Sequence, residues 1–162
     1  MSKALLVIDV QVCMFFGDWP VPGSNELLGR IANRILSARE AGEPVIFIQN
    51  DAPEGELDAP GMPYWQLALA PAEGERVFRK TTQNAFESNH DLAPYLRELG
   101  VGEVELAGLQ SELCLQATGR GAVEQGFRIT VNRALHGTYA SETESAESIS
   151  DRIQRDLEAL SA

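Results

Sequence analysis

The chain has 162 residues, of which 44% are hydrophobic and 23% charged, and this size and composition predict a single globular domain over residues 1–162. Its formal net charge of −11, without a basic stripe, argues against nucleic acid as a partner. The chain has only two cysteines, too few for a disulfide framework, so we expect a reduced protein. The apolar segment after Met1 is too short for a signal peptide or a membrane span, so we expect a cytoplasmic protein without a membrane partner.

Short apolar runs along the chain predict buried β-strands. They cover residues 4–10, 44–50, 77–80, 101–109 and 127–132. Segments whose apolar residues recur at helical spacing lie between most of them. This alternation predicts the α/β class, with a three-layer α/β/α architecture around a central, mostly parallel, doubly wound sheet.

The predicted helices begin and end at typical capping residues. The first ends at Gly42, and the second opens with Ser88 and Asp91, whose spacing is typical of a capping box. The third runs from about residue 114 to residue 125, and the last from about 142 to 160.

Cys114 lies where a predicted strand passes through a short polar turn into a predicted helix. Free backbone N–H groups and the helix dipole at such a position favour the thiolate form of a cysteine. Cys114 is therefore a candidate nucleophile, the alternative being a small buried core residue.

Two charged residues end other predicted strands. Asp9 comes near the end of the first apolar run, where an unpaired charge would be costly, and Lys80 ends the third. Each has a structural alternative, because Asp9 could accept backbone N–H bonds and Lys80 could be solvated. Parallel strands of a doubly wound sheet end at one edge, so we expect Asp9, Lys80 and Cys114 to form a nucleophile with a base and an electrostatic partner.

Segments that contain these residues resemble the isochorismatase-like cysteine hydrolases. The segments are ALLVIDVQ, RKTTQNAF and LAGLQSELCLQATGRGAVEQGF, in the order and at the separations usual in that family. The resemblance implies that Asp9 is the general base, Lys80 the catalytic lysine and Cys114 the nucleophile. It also implies a non-proline cis peptide bond between Leu109 and Gln110.

The resemblance further implies a mechanism. The N–H groups of Gln110 and Cys114 would form an oxyanion hole, and attack by Cys114 on a carbonyl would give a thioester. The expected activity is the hydrolysis of an amide or ureido C–N bond in a small molecule.

Metal binding is not expected from this sequence. The nicotinamidases of the resembling family carry an Asp-x-His metal motif after the second strand, where this chain has QNDAPEGE, with Asp51 but no histidine. The two histidines, His90 and His136, are far apart in sequence and do not form a ligand cluster. We therefore expect a metal-independent enzyme with no cofactor.

Pocket candidates follow the strand ends and the long segment 51–74, which we expect to be an ordered loop beside the site. They are Phe15, Phe16, Asn50, Asp51, Trp65, Phe86 and His136. Aromatic walls suit a small substrate, although each aromatic residue could equally pack the core or an interface. Cys13 is interpreted as a packing residue. Family members commonly form dimers or tetramers, so we expect a homo-oligomer.

Other functions remain open at this point. A vinyl ether hydrolase of the isochorismatase type need not keep the cysteine, so the presence of Cys114 favours C–N hydrolysis. A non-catalytic ligand-binding or interaction module on the same fold would have no need of Asp9, Lys80 and Cys114 together. A thiol redox protein is disfavoured because the chain has no Cys-x-x-Cys pair.

Overall fold

The computed structural model describes residues 2–161, and its centre is a parallel β-sheet. The strands are β1 (Ser2–Ile8), β2 (Val45–Asn50), β3 (Val77–Lys80), β4 (Val101–Leu109) and β5 (Arg128–Gly137). They lie in the order β3-β2-β1-β4-β5, and each neighbouring pair is parallel. The chain winds outward from β1 in both directions, so the switch point, where α/β sheets commonly bind ligands, lies between β1 and β4.

Helices cover both faces of this sheet. On one face lie α1 (Val12–Phe15) and α2 (Ser24–Glu40); on the other lie α3 (Ala85–Ser88), α4 (Leu92–Glu98), α5 (Gln116–Glu124) and α6 (Ala146–Ser161). Successive side chains of a strand point to opposite faces, so Leu5 and Val7 pack toward α2 while Leu6 and Ile8 pack toward α5 and α6. The three-layer doubly wound α/β class is thus confirmed.

The last strand is longer than its sequence predicts. β5 continues past residue 132 to Gly137, because a register shift pairs Gly108 with His136 and Leu109 with Gly137. At this edge of the sheet Asn132 and Ala134 are exposed and Arg133 is half-buried, so these residues lack the apolar pattern that marked the other strands.

The capping box predicted at Ser88 is wrong. Ser88 ends α3, and its Oγ accepts hydrogen bonds from the N–H groups of Thr81 (3.3 Å) and Thr82 (3.2 Å). The next helix, α4, begins only at Leu92, and Asp91 makes no side-chain cap. Ser88 therefore stabilises the segment that follows β3 and not a helix start.

The last helix also starts later than predicted, at Ala146 instead of residue 142. The polar residues before it form their own turn, in which Ser141 Oγ accepts from the N–H of Glu144 at 3.0 Å. Among residues 2–161, no helix combines the length and apolar character needed to cross a bilayer.

Candidate active site

Asp9, Lys80 and Cys114 meet at the carboxyl edge of the sheet. Lys80 Nζ lies 3.1 Å from Asp9 Oδ2, 3.0 Å from Cys114 Sγ and 3.0 Å from Asn50 Oδ1. Asp9 is 2% exposed and Lys80 is 1% exposed. An ammonium group has three N–H donors, so these three acceptors engage all of them. Lys80 can hold the base and the nucleophile together, but it has no free proton to offer a substrate.

The strand ends fix the positions of the charged pair. Asp9 follows β1 directly and adopts a left-handed conformation with φ 53°, while its N–H donates to the carbonyl oxygen of Ile48. Lys80 ends β3 opposite Asn50, the last residue of β2. Because the two strands are in register, the Asn50 amide oxygen receives a Lys80 N–H and orients the ammonium group. Asn50, predicted as a pocket residue, thus acts on Lys80.

The turn that carries Cys114 depends on Gly108. This residue has φ 130°, and a β-carbon there would overlap the carbonyl oxygen of Ile8, so only glycine lets β4 approach β1 this closely. The Leu109–Gln110 peptide bond that follows is cis. The Gln110 carbonyl then accepts from the N–H groups of Leu113 and Leu115, which closes a tight helical turn with Cys114 inside it.

Burial sets the protonation of the site. It raises the pKa of Asp9 above its usual value, and the opposing effects of Lys80 and of the Cys114 thiol are smaller. Burial, with the negative charge of Asp9 added, also raises the pKa of Cys114 to about 12. In the resting protein the lost hydration of the sulfur therefore opposes the thiolate form, which the helix start and Lys80 favour.

One oxygen of Asp9 stands ready for a proton. Within residues 2–161, Asp9 Oδ1 is a buried side-chain oxygen with no hydrogen-bond partner, whereas Oδ2 is held by Lys80. The Cys114 thiol lies close enough to this carboxylate for each group to affect the other's pKa. The arrangement can therefore move the thiol proton to Asp9 as the sulfur attacks an electrophile.

His136 supports the turn before Cys114. It is 1% exposed; its Nδ1 lies 2.7 Å from Ser111 Oγ and its Nε2 2.9 Å from Gln154 Oε1. The Gln154 oxygen can only accept, so Nε2 donates and Nδ1 receives the Ser111 hydroxyl proton. Burial lowers the pKa of His136 and keeps it neutral. These contacts give His136 a structural role in the turn; it also borders a different cavity, together with Arg133 and Ser150, and its role in a substrate pocket stays a prediction.

An open cavity of about 440 Å³ lies near this cluster, because Gln110 and Cys13, which are close in sequence to Cys114 and Asp9, are in its wall, whereas Asp9, Lys80 and Cys114 themselves are not. It is lined by Cys13, Met14, Trp19, Gln110, Tyr139 and residues 55–58. The long segment 51–74 thus contributes to the site through residues 55–58, and Gln110 links the cavity to the turn that carries the nucleophile.

Several predicted pocket residues lie elsewhere. Phe86 is 6% exposed and packs on Phe127 in the core, with ring centroids 6.1 Å apart. Phe15 is 3% exposed and packs in the core on the α2 face. Phe16 is 49% exposed and is not part of the cavity lining. The pocket interpretation is therefore corrected for all three; side-chain direction after a strand end could not be read from the sequence.

Asp51 and Trp65 form a separate cluster outside the cavity lining. Asp51 accepts from Trp65 Nε1 at 2.8 Å and from Arg79 Nε at 2.9 Å, and the Arg79 guanidinium lies 5.0 Å from the centre of the Trp65 ring. These contacts fasten the segment 51–74 to the ends of β2 and β3. The two residues hold the wall of the site in place and do not line the cavity.

Sequence reasoning named Gln110 but missed the other residues that line the cavity. Cys13, interpreted as a packing residue, lines it, as do Asp58 and Tyr139. Burial, with the charges of Asp58 and Asp9 added, raises the pKa of Cys13 to about 12. A usable signal existed for Cys13, because it comes only four residues after Asp9, at the same edge of the sheet.

The donor atoms near the site do not form an evident metal cage. Within residues 2–161, no three side chains of His, Cys, Asp or Glu converge in a way that could hold a metal ion. Asp51, which follows β2, is bound to Arg79 and Trp65.

Comparison with known proteins identifies the family. The sequence model of the isochorismatase domain matches residues 3–155. The chain belongs to the isochorismatase family. A streptothricin hydrolase of Streptomyces noursei is 38% identical over 93% of this chain, and a ureidoacrylate amidohydrolase of Variovorax paradoxus is 26% identical over 83% of it and 69% of its own length.

The similarity has a defined extent. The chain spans 54% and 60% of the length of two streptothricin hydrolases from Streptomyces noursei. Among solved structures, an isochorismatase of Pseudomonas putida KT2440 superposes with a TM-score of 0.84 at 27% identity, covering 98% of this chain and 82% of that one. The shared fold therefore extends over almost all of the chain.

Proposed function

We propose that this protein is a metal-independent cysteine hydrolase that cleaves an amide or ureido C–N bond in a small molecule through a thioester on Cys114. The observation that carries the proposal is the buried contact of one ammonium group, Lys80, with both the Asp9 carboxylate and the Cys114 sulfur. Such a triad has little structural use, because the buried carboxylate keeps one oxygen unpaired.

The first half of the reaction forms the thioester. The Cys114 proton passes to Asp9 Oδ1 as the sulfur bonds to the substrate carbonyl carbon, which becomes tetrahedral with a negative oxygen. The N–H groups of Gln110 and Cys114 are the proposed donors to that oxygen. When the C–N bond breaks, Asp9 returns the proton to the leaving nitrogen, so the free amine departs and the acyl group stays on sulfur.

The second half returns the enzyme to its starting state. Asp9 takes a proton from water, the resulting hydroxide adds to the thioester carbon, and the C–S bond breaks. The sulfur recovers its proton from Asp9 and the acid leaves. Lys80 keeps a positive charge against both groups throughout, which limits the repulsion between carboxylate and thiolate.

Relatives support the choice of bond. One is named a ureidoacrylate amidohydrolase, and the two with 38% and 37% identity are named streptothricin hydrolases. Streptothricin and ureidoacrylate are therefore the first compounds to screen. A cytoplasmic location and a homo-oligomeric assembly, dimer or tetramer, stay predictions.

The test follows the covalent step. Cys114→Ala should lower turnover of any amide substrate by roughly 10⁴-fold or more, because the nucleophile is lost. Wild-type protein quenched during turnover should carry the acyl mass on the peptide that contains Cys114, and hydroxylamine should divert that acyl group to a hydroxamate. Cys13→Ala is the matched control and should carry the same acyl mass on Cys114. Turnover that persists in Cys114→Ala would exclude the thioester route, and loss of activity on chelation would exclude metal independence.

A further inference from the structure

The cavity beside the catalytic cluster carries negative charge without a counter-charge. Its lining includes the carboxylates of Glu56 and Asp58 but no lysine or arginine. Two other carboxylates at this edge are paired with cations, Asp51 with Arg79 and Asp9 with Lys80. Within residues 2–161, Asp58 has no lysine or arginine at ion-pair distance, so its charge faces the cavity uncompensated.

The charge of Asp58 reaches across the cavity. Burial is the main cause of the raised pKa values of Cys13 and Asp9, and the charge of Asp58 contributes to both. The pKa of Tyr139 on the cavity wall is raised too, again mainly through burial. A ligand placed between Asp58 and Asp9 would therefore feel the field of this carboxylate.

Two aromatic residues, Trp19 and Tyr139, line the same cavity as these carboxylates. Trp19 is 67% exposed although it is a large apolar residue, and the Tyr139 hydroxyl donates to its carbonyl oxygen at 2.8 Å. The faces of tryptophan and tyrosine rings attract cations. Carboxylates in one cavity with an exposed tryptophan ring and a half-buried tyrosine ring are a combination that suits an organic ammonium group.

Lys80, the cation at the reacting end of the site, does not neutralise the carboxylates of Glu56 and Asp58. Lys80 gives its three N–H groups to Asp9, Cys114 and Asn50, so its charge is neutralised locally by Asp9. The unpaired Asp9 Oδ1, on a side chain that is 2% exposed, marks where the reacting bond must come. The reacting bond of the substrate must therefore lie at Cys114 and Asp9, and the rest of the substrate lies beside the carboxylates of Glu56 and Asp58.

We propose that this hydrolase selects amides that carry a positive charge, and that Asp58 is the residue that recognises that charge. The proposal rests on the cysteine hydrolase activity proposed above. It adds the substrate class, a small cationic amide whose ammonium group lies between Asp58, Glu56 and the Trp19 ring while its carbonyl reaches Cys114.

The first test compares three amides of similar length that differ in charge. They are γ-aminobutyramide, a cation; valeramide, its neutral analogue; and succinamate, an anion. We expect kcat/KM for γ-aminobutyramide to exceed that for valeramide by about fivefold or more, with succinamate the poorest substrate. In Asp58→Asn the ratio of cation to neutral amide should fall by about fivefold, mostly through KM. Glu54→Gln, which removes an exposed charge outside the cavity lining, should leave the ratio unchanged.

A second test does not need turnover. Trimethylammonioethyl and sulfonatoethyl methanethiosulfonate both convert a thiol to a mixed disulfide, and they differ in the sign of their charge. The chain has two thiols, Cys13 and Cys114, and their labelling rates can be read separately from their peptides. The cationic reagent should label both at least about fivefold faster than the anionic one, and Asp58→Asn should reduce that preference.

The two proposals fail in different ways. A faster reaction of valeramide or succinamate, or a labelling preference that Asp58→Asn does not change, would overturn the charge selection. Turnover that persists in Cys114→Ala would overturn the cysteine mechanism and leave the charge selection standing. If none of the three amides is hydrolysed, the labelling rates alone decide whether Asp58 makes the cavity selective for cations.

Discussion

Two buried carboxylates on the same sheet have opposite surroundings. Glu105, on β4, accepts from Arg34 at 2.9 and 3.1 Å and lies 3.1 Å from Lys3 Nζ. Asp9, at the carboxyl edge, has Lys80 on one oxygen and no hydrogen-bond partner on the other. Burial tends to raise the pKa of both groups, but the cations around Glu105 outweigh it and lower its pKa, whereas that of Asp9 stays raised.

The difference separates a structural charge from a reactive one. A carboxylate with all its oxygens engaged by cations stabilises the folded chain and has little capacity to accept a proton. A carboxylate left partly unpaired is less favourable for stability, and it can act as a base. The comparison therefore predicts different consequences for removing each charge.

The largest effect is expected for Asp9→Asn. This change keeps the shape of the side chain but removes the base, so kcat/KM for an amide should fall by roughly 10³-fold. The measurement is steady-state hydrolysis of the best substrate found, with thermal unfolding as the check on the fold. A fall of less than about tenfold would mean that Asp9 is not the proton acceptor.

A smaller effect, on stability instead of rate, is expected for Glu105→Gln. Loss of the charge leaves Arg34 and Lys3 without their buried partner, which should lower the free energy of unfolding by about 2 kcal/mol while kcat/KM stays the same. Urea unfolding measures this free energy. The control is Glu103→Gln, because Glu103 lies on the same strand and makes no ion pair within residues 2–161; it should change the free energy of unfolding by at most about 0.5 kcal/mol. Equal losses in the two variants would contradict the structural role of Glu105.

The smallest effect is the pH dependence of these stabilities. Because the pKa of Glu105 is lower in the folded chain, its charge stabilises the fold at pH values above about 4.3, the pKa of glutamate in the unfolded chain. This stabilisation is lost as the pH falls through the pKa of Glu105 in the folded chain. The raised pKa of Asp9 has the opposite effect on stability. Protonated Asp9 stabilises the fold at pH values below about 3.9, the pKa of aspartate in the unfolded chain, and this stabilisation is lost as the pH rises through the pKa of Asp9 in the folded chain.

Urea unfolding over a pH series tests this prediction. The stability advantage of wild type over Glu105→Gln should shrink on acidification, while wild type should lose stability relative to Asp9→Asn as the pH rises. Parallel pH profiles for the three proteins would show that neither carboxylate changes its pKa on folding.

Much of the fold was readable because most residues of the central strands are apolar. The bounds predicted for β3 and β4, residues 77–80 and 101–109, agree with the structure. β5 was cut short because residues such as Asn132 and Arg133 lie at the sheet edge, where polar side chains are tolerated and the hydrophobic pattern ends. The helix split between Ser88 and Leu92 depends on contacts with the segment after β3, which no local pattern encodes.

The meeting of Asp9, Lys80 and Cys114 was predictable, and the surroundings of these residues were not. Asp9, Lys80 and Cys114 each belong to a strand end, and parallel topology brings strand ends together. The cavity depends on which way side chains turn after those ends: Phe86 turns into the core, while Cys13 turns toward the cavity. The raised pKa of Cys114 was missed because desolvation depends on how completely the folded chain encloses the sulfur.

The full engagement of Lys80 also has a consequence for the end of the reaction cycle. Amide hydrolysis turns a neutral carbonyl group into a carboxylate, an anion that commonly stays bound where a free ammonium or guanidinium is available. Here the ammonium protons already belong to Asp9, Cys114 and Asn50, and the exit is bordered by Glu56 and Asp58. In the proposed reaction the new acid would be repelled by these carboxylates, so the charges proposed to attract a cationic substrate would also favour release of its product.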